Sequence, residues 1–336
     1  MAACPAAEGD VTVRILPEHV NRATDGVIPQ WRFTVVCRNN LKEAVTLQEL
    51  QVTTVIGDKS STASFSGTPL HGMMSGPSKA EPGGKVIILM IDDGKEPAAT
   101  AIALRAIFRT AGGAELRVDH TIPLCSSPTV YLRFPLPGRW VVANGREIWH
   151  GLGIAFAYDL VTEADWPVHQ REATETMALR DFTSWGADLR APLSATVFDC
   201  RNDRPDCEPT PNRASMAGKK LEDRSEIVGN YLILRAPEGH YILMAHLKRG
   251  SLKVAKGEKV QEGQLLAEVG NSGNTSGPHL HLEVLDGPPD LVTLDLKQAG
   301  LPFGFKDVRV TADGETKTWG QYVPRRNEIV EGDVPR

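Results

Sequence analysis

The chain has 336 residues, 41% hydrophobic and 24% charged, with a formal net charge of −5. That length supports two domains with sizeable cores, and the composition is that of ordinary globular protein. No Lys/Arg run or basic stripe is present, which excludes the electrostatic footprint of a nucleic-acid binder, and no apolar stretch approaches the ~18 residues of a membrane-spanning helix. The acidity is local. Residues 1–138 hold 13 Lys/Arg against 13 Asp/Glu, whereas the remainder holds 24 against 29.

The chain opens MAACPAAEGD. Small residues around Cys4 ahead of a polar stretch resemble the end of a lipoprotein leader, and we read this as a start placed near a natural cleavage site. From residue 10 to 135 the sequence reads as short strands divided by turns: VTVRI, WRFTVVC, VTLQELQVTTVI, KVIILMI, AIALRAIFRT, ELRVDHTI and TVYLRF. β-Branched and aromatic residues recur with partial period-2 alternation, and Gly/Pro/Ser clusters supply the turns. Seven such strands predict an immunoglobulin-like β-sandwich over residues 10–135. His19, His71 and His120 are scattered through it without a pattern.

FPLPGRW, residues 134–140, marks the boundary to a second domain over 139–336. Residues 160–186 form a long polar connection in which ATETMALRDF can make one or two helical turns. Residues 200–228 form a second polar stretch, and both could wall a cleft. Five cysteines occur, an odd number, so at least one is unpaired. Cys200 and Cys207 flank RNDRPD, a spacing that suits a local disulfide and an oxidising compartment. Cys37 and Cys125 could pair or be buried thiols.

GNSGNTSGPHLHLEV, residues 270–284, is the most informative segment. A glycine-rich turn enters an apolar strand, with His279 and His281 two residues apart at its mouth. Alternation places both imidazoles on one face. A bare HxH carries little weight, but the whole segment resembles the signature of the lysostaphin-type, LytM-like zinc metalloendopeptidases almost letter for letter. The likeness runs over roughly residues 139–290. GNYLILRAPEGHYILMAHL resembles the paired strands ending in a catalytic histidine, here His246. GSLKVAKGEKVQEGQLLAEVG resembles the turn-and-strand unit that follows, and GADLRAPLSATV the pair opening the core. WVVANGREIWHGLGIAFAYDLV resembles the segment supplying a histidine and an aspartate, here His150 and Asp159. Asp159 follows His150 by nine residues where the best-known members show four. A longer spacing also occurs in members with the context of Ala157-Tyr158-Asp159-Leu160. His169 with Asp181 is the competing pair and lacks that context.

The resemblance implies a mainly β fold, an antiparallel β-sheet peptidase domain with long loops, and a Zn²⁺ cofactor held by His150, Asp159 and His281. His246 and His279 are then the catalytic histidines. Two imidazoles and a carboxylate suit a catalytic zinc, which lowers the pKa of a bound water from ~15.7 toward ~7. The implied activity is endopeptidase hydrolysis of peptidoglycan cross-bridges or stems by an extracytoplasmic, monomeric enzyme. The alternative is a non-catalytic LytM-like module that activates or scaffolds wall hydrolases. A third reading, a lipoyl- or biotinyl-carrier hairpin at VAKGEKVQEGQLLAEVG, lacks the lysine such carriers need. Glu283 could orient a ligand or be a solvated carboxylate, Asn230 reads as a turn residue, and His240 as a surface residue.

Overall fold

The computed structural model describes residues 9–16, 20–23, 31–74, 76–92, 99–145, 156–171, 177–209, 224–289, 291 and 299–332. It is mainly β, and it divides into two units, with the first division after Pro128.

The first unit contains β1 (Val11–Leu16), β2 (Val20–Ala23), β3 (Trp31–Asn39), β4 (Val45–Ile56), β5 (Lys59–Ser66), β6 (Lys79–Ala80), β7 (Lys85–Asp92), β8 (Ala101–Thr110) and β9 (Glu115–Ser127). They form one sheet ordered β1-β3-β7 and another ordered β2-β9-β8-β4-β5, with β6 on β4. Phe33, Val35 and Ile88 of the first sheet and Leu50, Ile102 and Phe108 of the second share one core. Period-2 alternation drives this: Ile102, Leu104, Ala106 and Phe108 of β8 all point inward. In β4 the inward set changes from Val45 and Leu47 to Leu50 and Val52, because pairing with β8 slips between Leu47 and Glu49. We retain the immunoglobulin-like description as a proposal, on this two-sheet core.

TVYLRF, expected as the last sandwich strand, belongs elsewhere. Its strand β10 (Val130–Arg133) pairs in parallel with β20 (Phe303–Ala312), and both lie in the second unit. The boundary expected at residue 135 is thus earlier. A pairing across about 170 residues has no local signature, so sequence alone groups the strand with its neighbours.

The second unit adds β11 (Arg139–Asn144), β12 (Tyr158–Thr162), β13 (Asp188–Arg190), β14 (Ala195–Arg201), β15 (Asn230–Arg235) and β16 (Tyr241–Leu247). It continues with β17 (Lys259–Val260), β18 (Leu265–Glu268), β19 (Leu280–Leu285), β21 (Glu315–Tyr322) and β22 (Ile329–Gly332). The large sheet runs β10-β20-β22-β11-β12-β19-β16-β15-β14-β17, with β21 on β20 and a separate β13-β18 pair. Every residue of β16 and β19 is buried, so both faces of the sheet centre are covered, including the polar His246, His281 and Glu283. The C-terminal strands β20 and β22 are integral to the sheet. Among the described residues between β12 and β13, ATETMALRDF holds a 3₁₀ turn at Leu179–Asp181, and a short helix, α1 (Trp166–Arg171), precedes it. Among the described residues no helix is long and apolar enough to cross a membrane.

The expected Cys200–Cys207 disulfide does not form: neither sulfur is in a disulfide. Cys200 sits in β14 opposite Leu232, while Cys207 packs on the 271–273 loop, its thiol 3.6 Å from the Gly273 carbonyl. The stretch between them leads from one structural partner to another instead of folding back on itself.

Candidate active site

Strand register assembles the site. β12 and β19 are antiparallel neighbours in which Asp159 stands directly opposite His281. Directly opposed residues project from one face, and here Asp159 Oδ1 lies 2.9 Å from His281 Nδ1. On the other side of β12, strand β11 skips Ala143, so that Asn144 faces Asp159. The Asn144 amide donates to Asp159 Oδ2 at 2.8 Å. The two carboxylate oxygens are therefore divided, one toward the histidine and one toward a fixed donor. Asp159 and His281 are both buried.

His246 arrives by a different device. β15 pairs Asn230 with Leu247 and Tyr231 with Ala245, leaving His246 as the extra residue of a β-bulge. Its φ is 61°, the left-handed region that costs a non-glycine residue about 1–2 kcal/mol. Bulges re-aim side chains beside functional sites. Plain alternation would put His246 and Ala245 on opposite faces, and Ala245 is paired with His281. The bulge instead brings the His246 ring to 4.7 Å from that of His279 and 5.9 Å from that of His281, centroid to centroid. Burial first, then His279 and His281, push the His246 pKa well below the usual histidine range. Its Nδ1 lies 2.8 Å from the Ser272 carbonyl, which can only accept, so Nδ1 carries the proton and Nε2 is the basic nitrogen.

The 271–279 loop decodes residue by residue. Ser272 Oγ donates to the Leu247 carbonyl at 2.8 Å and accepts from the Asn230 amide at 2.9 Å. The Asn271 side chain donates to the Cys207 carbonyl, and the Cys207 N–H donates to the Asn271 carbonyl. Gly273, at φ +85°, leaves no room for a side chain: a Cβ would lie 2.4 Å from the Ile227 carbonyl oxygen. Thr275 Oγ1 sits 2.8 Å from the Gly277 carbonyl and 2.8 Å from the Asn271 side-chain oxygen. His279 Nδ1 donates to that same Gly277 carbonyl at 2.8 Å, and its Nε2 lies 3.6 Å from Asp159 Oδ1.

Four of the five residues singled out in the sequence, Asp159, His246, His279 and His281, thus come together. The fifth, His150, lies outside the described residues. Among the described residues no group of three or more His, Cys, Asp or Glu side chains forms a metal cluster. The expected ligand set cannot be completed there without His150. The pair that is described does fit zinc chemically: a carboxylate oxygen and an imidazole nitrogen, buried and 2.9 Å apart. The competing pair does not form, since Asp181 accepts from the Ala178 N–H and His169 packs edge-on to Phe182.

Three residues differ from their sequence reading. Asn230 is no turn residue; its buried amide exchanges two hydrogen bonds with the Arg204 backbone and donates to the Leu247 carbonyl. Glu283 is fully buried and has no hydrogen-bond partner among the described residues, so it neither orients His281 nor meets water. His240 is half-buried rather than on the surface. Asn144, the partner of Asp159, went unnoticed, because nothing local distinguishes it from any asparagine ending a strand.

The fold and the gathered side chains define a β-sheet protein with a histidine–aspartate centre. Residues 208–290 match the model of peptidase family M23. It is similar to peptidoglycan DD-endopeptidase ShyA of Vibrio cholerae serotype O1, 28% identical over 102 residues, which cover 30% of this chain and 21% of that protein. It is also similar to peptidoglycan DD-endopeptidase ShyB of the same organism, 39% identical over 114 residues, covering 33% of this chain and 23% of that one. The chain thus matches only about a fifth of the length of these relatives. A crystal structure of a zinc-containing peptidase from Vibrio cholerae aligns at 16% identity with a TM-score of 0.26, over 81% of this chain and 57% of that one. A likeness so loose carries no argument about the site.

Proposed function

We propose that this protein is an extracytoplasmic zinc-dependent endopeptidase that hydrolyses peptide bonds in bacterial peptidoglycan. The observation that carries the reading is the buried Asp159–His281 pair flanked by two imidazoles whose Nδ1 atoms are both committed to backbone carbonyls. The M23 match and the names of the two Vibrio relatives support the substrate class.

His150, Asp159 and His281 would hold the metal. Zinc, when bound there, supplies Lewis acidity toward a peptide carbonyl and a lowered water pKa. The chain's own residues do the rest. Asn144 holds the Asp159 carboxylate by its outer oxygen, which orients the other toward the site. His246, kept neutral by burial and by its imidazole neighbours, presents Nε2 as a proton acceptor for the attacking water. The proton it takes is then available for the leaving amine. His279 supplies the second imidazole, with its ring fixed through Gly277.

The test is zinc content measured beside peptidoglycan turnover, with mass analysis of the fragments. His281→Ala should lose zinc and activity together. His279→Ala and His246→Ala should keep zinc and lose activity by about 10²–10⁴-fold, the usual contribution of general acid–base groups. If the wild-type protein binds peptidoglycan but cleaves no peptide bond, the non-catalytic module is the correct reading. If His279→Ala empties the site and His281→Ala does not, the roles are reversed.

A further inference from the structure

We propose that His169 is a positioning residue for His279, acting by walling the backbone at Gly277. The inference deepens the reading of His279 as catalytic and rests on it.

His169 lies on α1, in the stretch between β12 and β13. That helix is anchored at its base by Asp165, a buried carboxylate that accepts from the Thr183 N–H at 3.0 Å, the Thr183 hydroxyl at 3.0 Å and the Ser184 N–H at 2.7 Å. The His169 N–H in turn donates to the Asp165 carbonyl at 3.1 Å. On one side the ring meets Phe182 edge-on, centroids 6.0 Å apart. On the other it occupies the space that a side chain at Gly277 would need. A Cβ there would lie 2.9 Å from His169 Cε1, 3.3 Å from Nε2 and 3.6 Å from Nδ1. A contact under 3.0 Å forces a shift, so with the imidazole at 169 in place the backbone at 277 leaves room for glycine alone.

The geometry matters because of what Gly277 does. Its carbonyl accepts the His279 Nδ1 proton and lies beside Thr275 Oγ1. Displacing the Gly277 backbone moves the acceptor that sets the tautomer and plane of the His279 ring. His169 Nε2 is sealed from water and has no hydrogen-bond partner among the described residues; the ring meets the loop through its packing against Gly277 and a hydrogen bond to the Pro278 backbone. Consistent with this, its pKa is pushed down to about 4, by burial first and by His279 second, so the wall is uncharged at neutral pH.

The experiment compares full-length wild type with His169→Ala, His169→Leu, Gly277→Ala and the His169→Ala/Gly277→Ala double variant. Imidazole nitrogen NMR reports the His279 Nδ1 hydrogen bond directly, alongside zinc content, kcat and KM on peptidoglycan. His169→Ala should shift the His279 signals and lower kcat by up to about 10²-fold, the cost of a misplacement near 1 Å, with zinc and KM unchanged. His169→Leu, of similar volume but without ring nitrogens, should restore most of kcat. Gly277→Ala should be impaired, and the double variant should recover relative to it, because the clashing ring is gone. Simple addition of the two losses, or a His169→Ala protein with unaltered His279 signals, overturns the proposal. So does a His169→Leu protein as impaired as His169→Ala, since the ring chemistry and not its bulk would then matter. A wild-type protein inert on peptidoglycan would sink the functional reading alone, because the NMR comparison still decides the positioning role.

Discussion

Asn144→Ala is the sharpest perturbation of the metal reading, because it replaces no expected ligand and removes only a hydrogen bond to one. The Asn144 amide donates one hydrogen bond of 2.8 Å to Asp159 Oδ2, while Oδ1 faces His281. Hydrogen bonds to charged groups contribute about 1.5–3 kcal/mol, and ~1.4 kcal/mol is tenfold in affinity. Loss of this one should weaken zinc binding by roughly 10- to 100-fold, which is also the usual effect of removing a partner of a metal ligand. Competition against a chromophoric chelator measures it, with His281→Ala as the variant that should lose binding altogether. Thermal melting of the metal-free protein controls for folding. Zinc affinity unchanged in Asn144→Ala, with His281→Ala still unable to bind, would refute the claim that Asn144 orients the carboxylate.

Three further outcomes follow from the same geometry. Gly229→Ala should cost several kcal/mol, because φ there is +67° and a Cβ would lie 2.4 Å from the Ser272 carbonyl carbon and oxygen. Gly250→Ala, at φ +74° with nothing within 4 Å, should cost only the ~1–2 kcal/mol of a left-handed residue, as urea unfolding of both variants will show. Residues 129–336 should fold and retain activity alone, whereas residues 139–336, lacking β10 and its pairing with β20, should melt lower in calorimetry. Stability should also fall with acid. His169 titrates near 4 in the folded protein against 6.5 for an ordinary histidine, so the unfolded chain binds more protons below pH 6.5. The stability this represents is intact above pH 6.5 and is lost as pH falls toward 4, and His169→Leu should flatten that part of the pH profile.

What was legible in the sequence was whatever depends on neighbours in the chain. The strands of the first unit, the HxH strand and the loop feeding it all announce themselves by alternation or by turn residues. Pairing across long separations did not: β10 reads like any sandwich strand, and only its partner β20 assigns it to the second unit. The bulges were equally silent. Alternation through MAHL puts Ala245 and His246 on opposite faces, and nothing local says that β15 will skip His246. His246 was recognised through its resemblance to a family pattern, not through its spacing. Asn144 and the wall formed by His169 have no sequence signal, because each depends on a strand register or a helix anchor set elsewhere. Cys200 and Cys207 show the converse: they are close in sequence, but β14 holds one and the 271–273 loop the other.

One physical theme connects the glycine-rich motif to the chemistry. A histidine is a useful proton acceptor only in the tautomer that leaves the correct nitrogen bare. In this site the choice is made for both imidazoles by one loop: Ser272 offers its carbonyl to His246 Nδ1, and Gly277 offers its carbonyl to His279 Nδ1. Each ring is thereby left with Nε2 as its basic nitrogen. The carbonyls can serve this way only if the loop backbone is immobile, and its anchors are the Ser272 hydroxyl on Leu247, the Asn271–Cys207 exchange and the close backbone approach at Gly273. Glycine at these positions is required by contact distance, and serine, threonine and asparagine by the hydrogen bonds that replace regular pairing. The motif is therefore long because it specifies an acceptor frame for two imidazoles, of which only the last few letters would supply side chains to the proposed reaction.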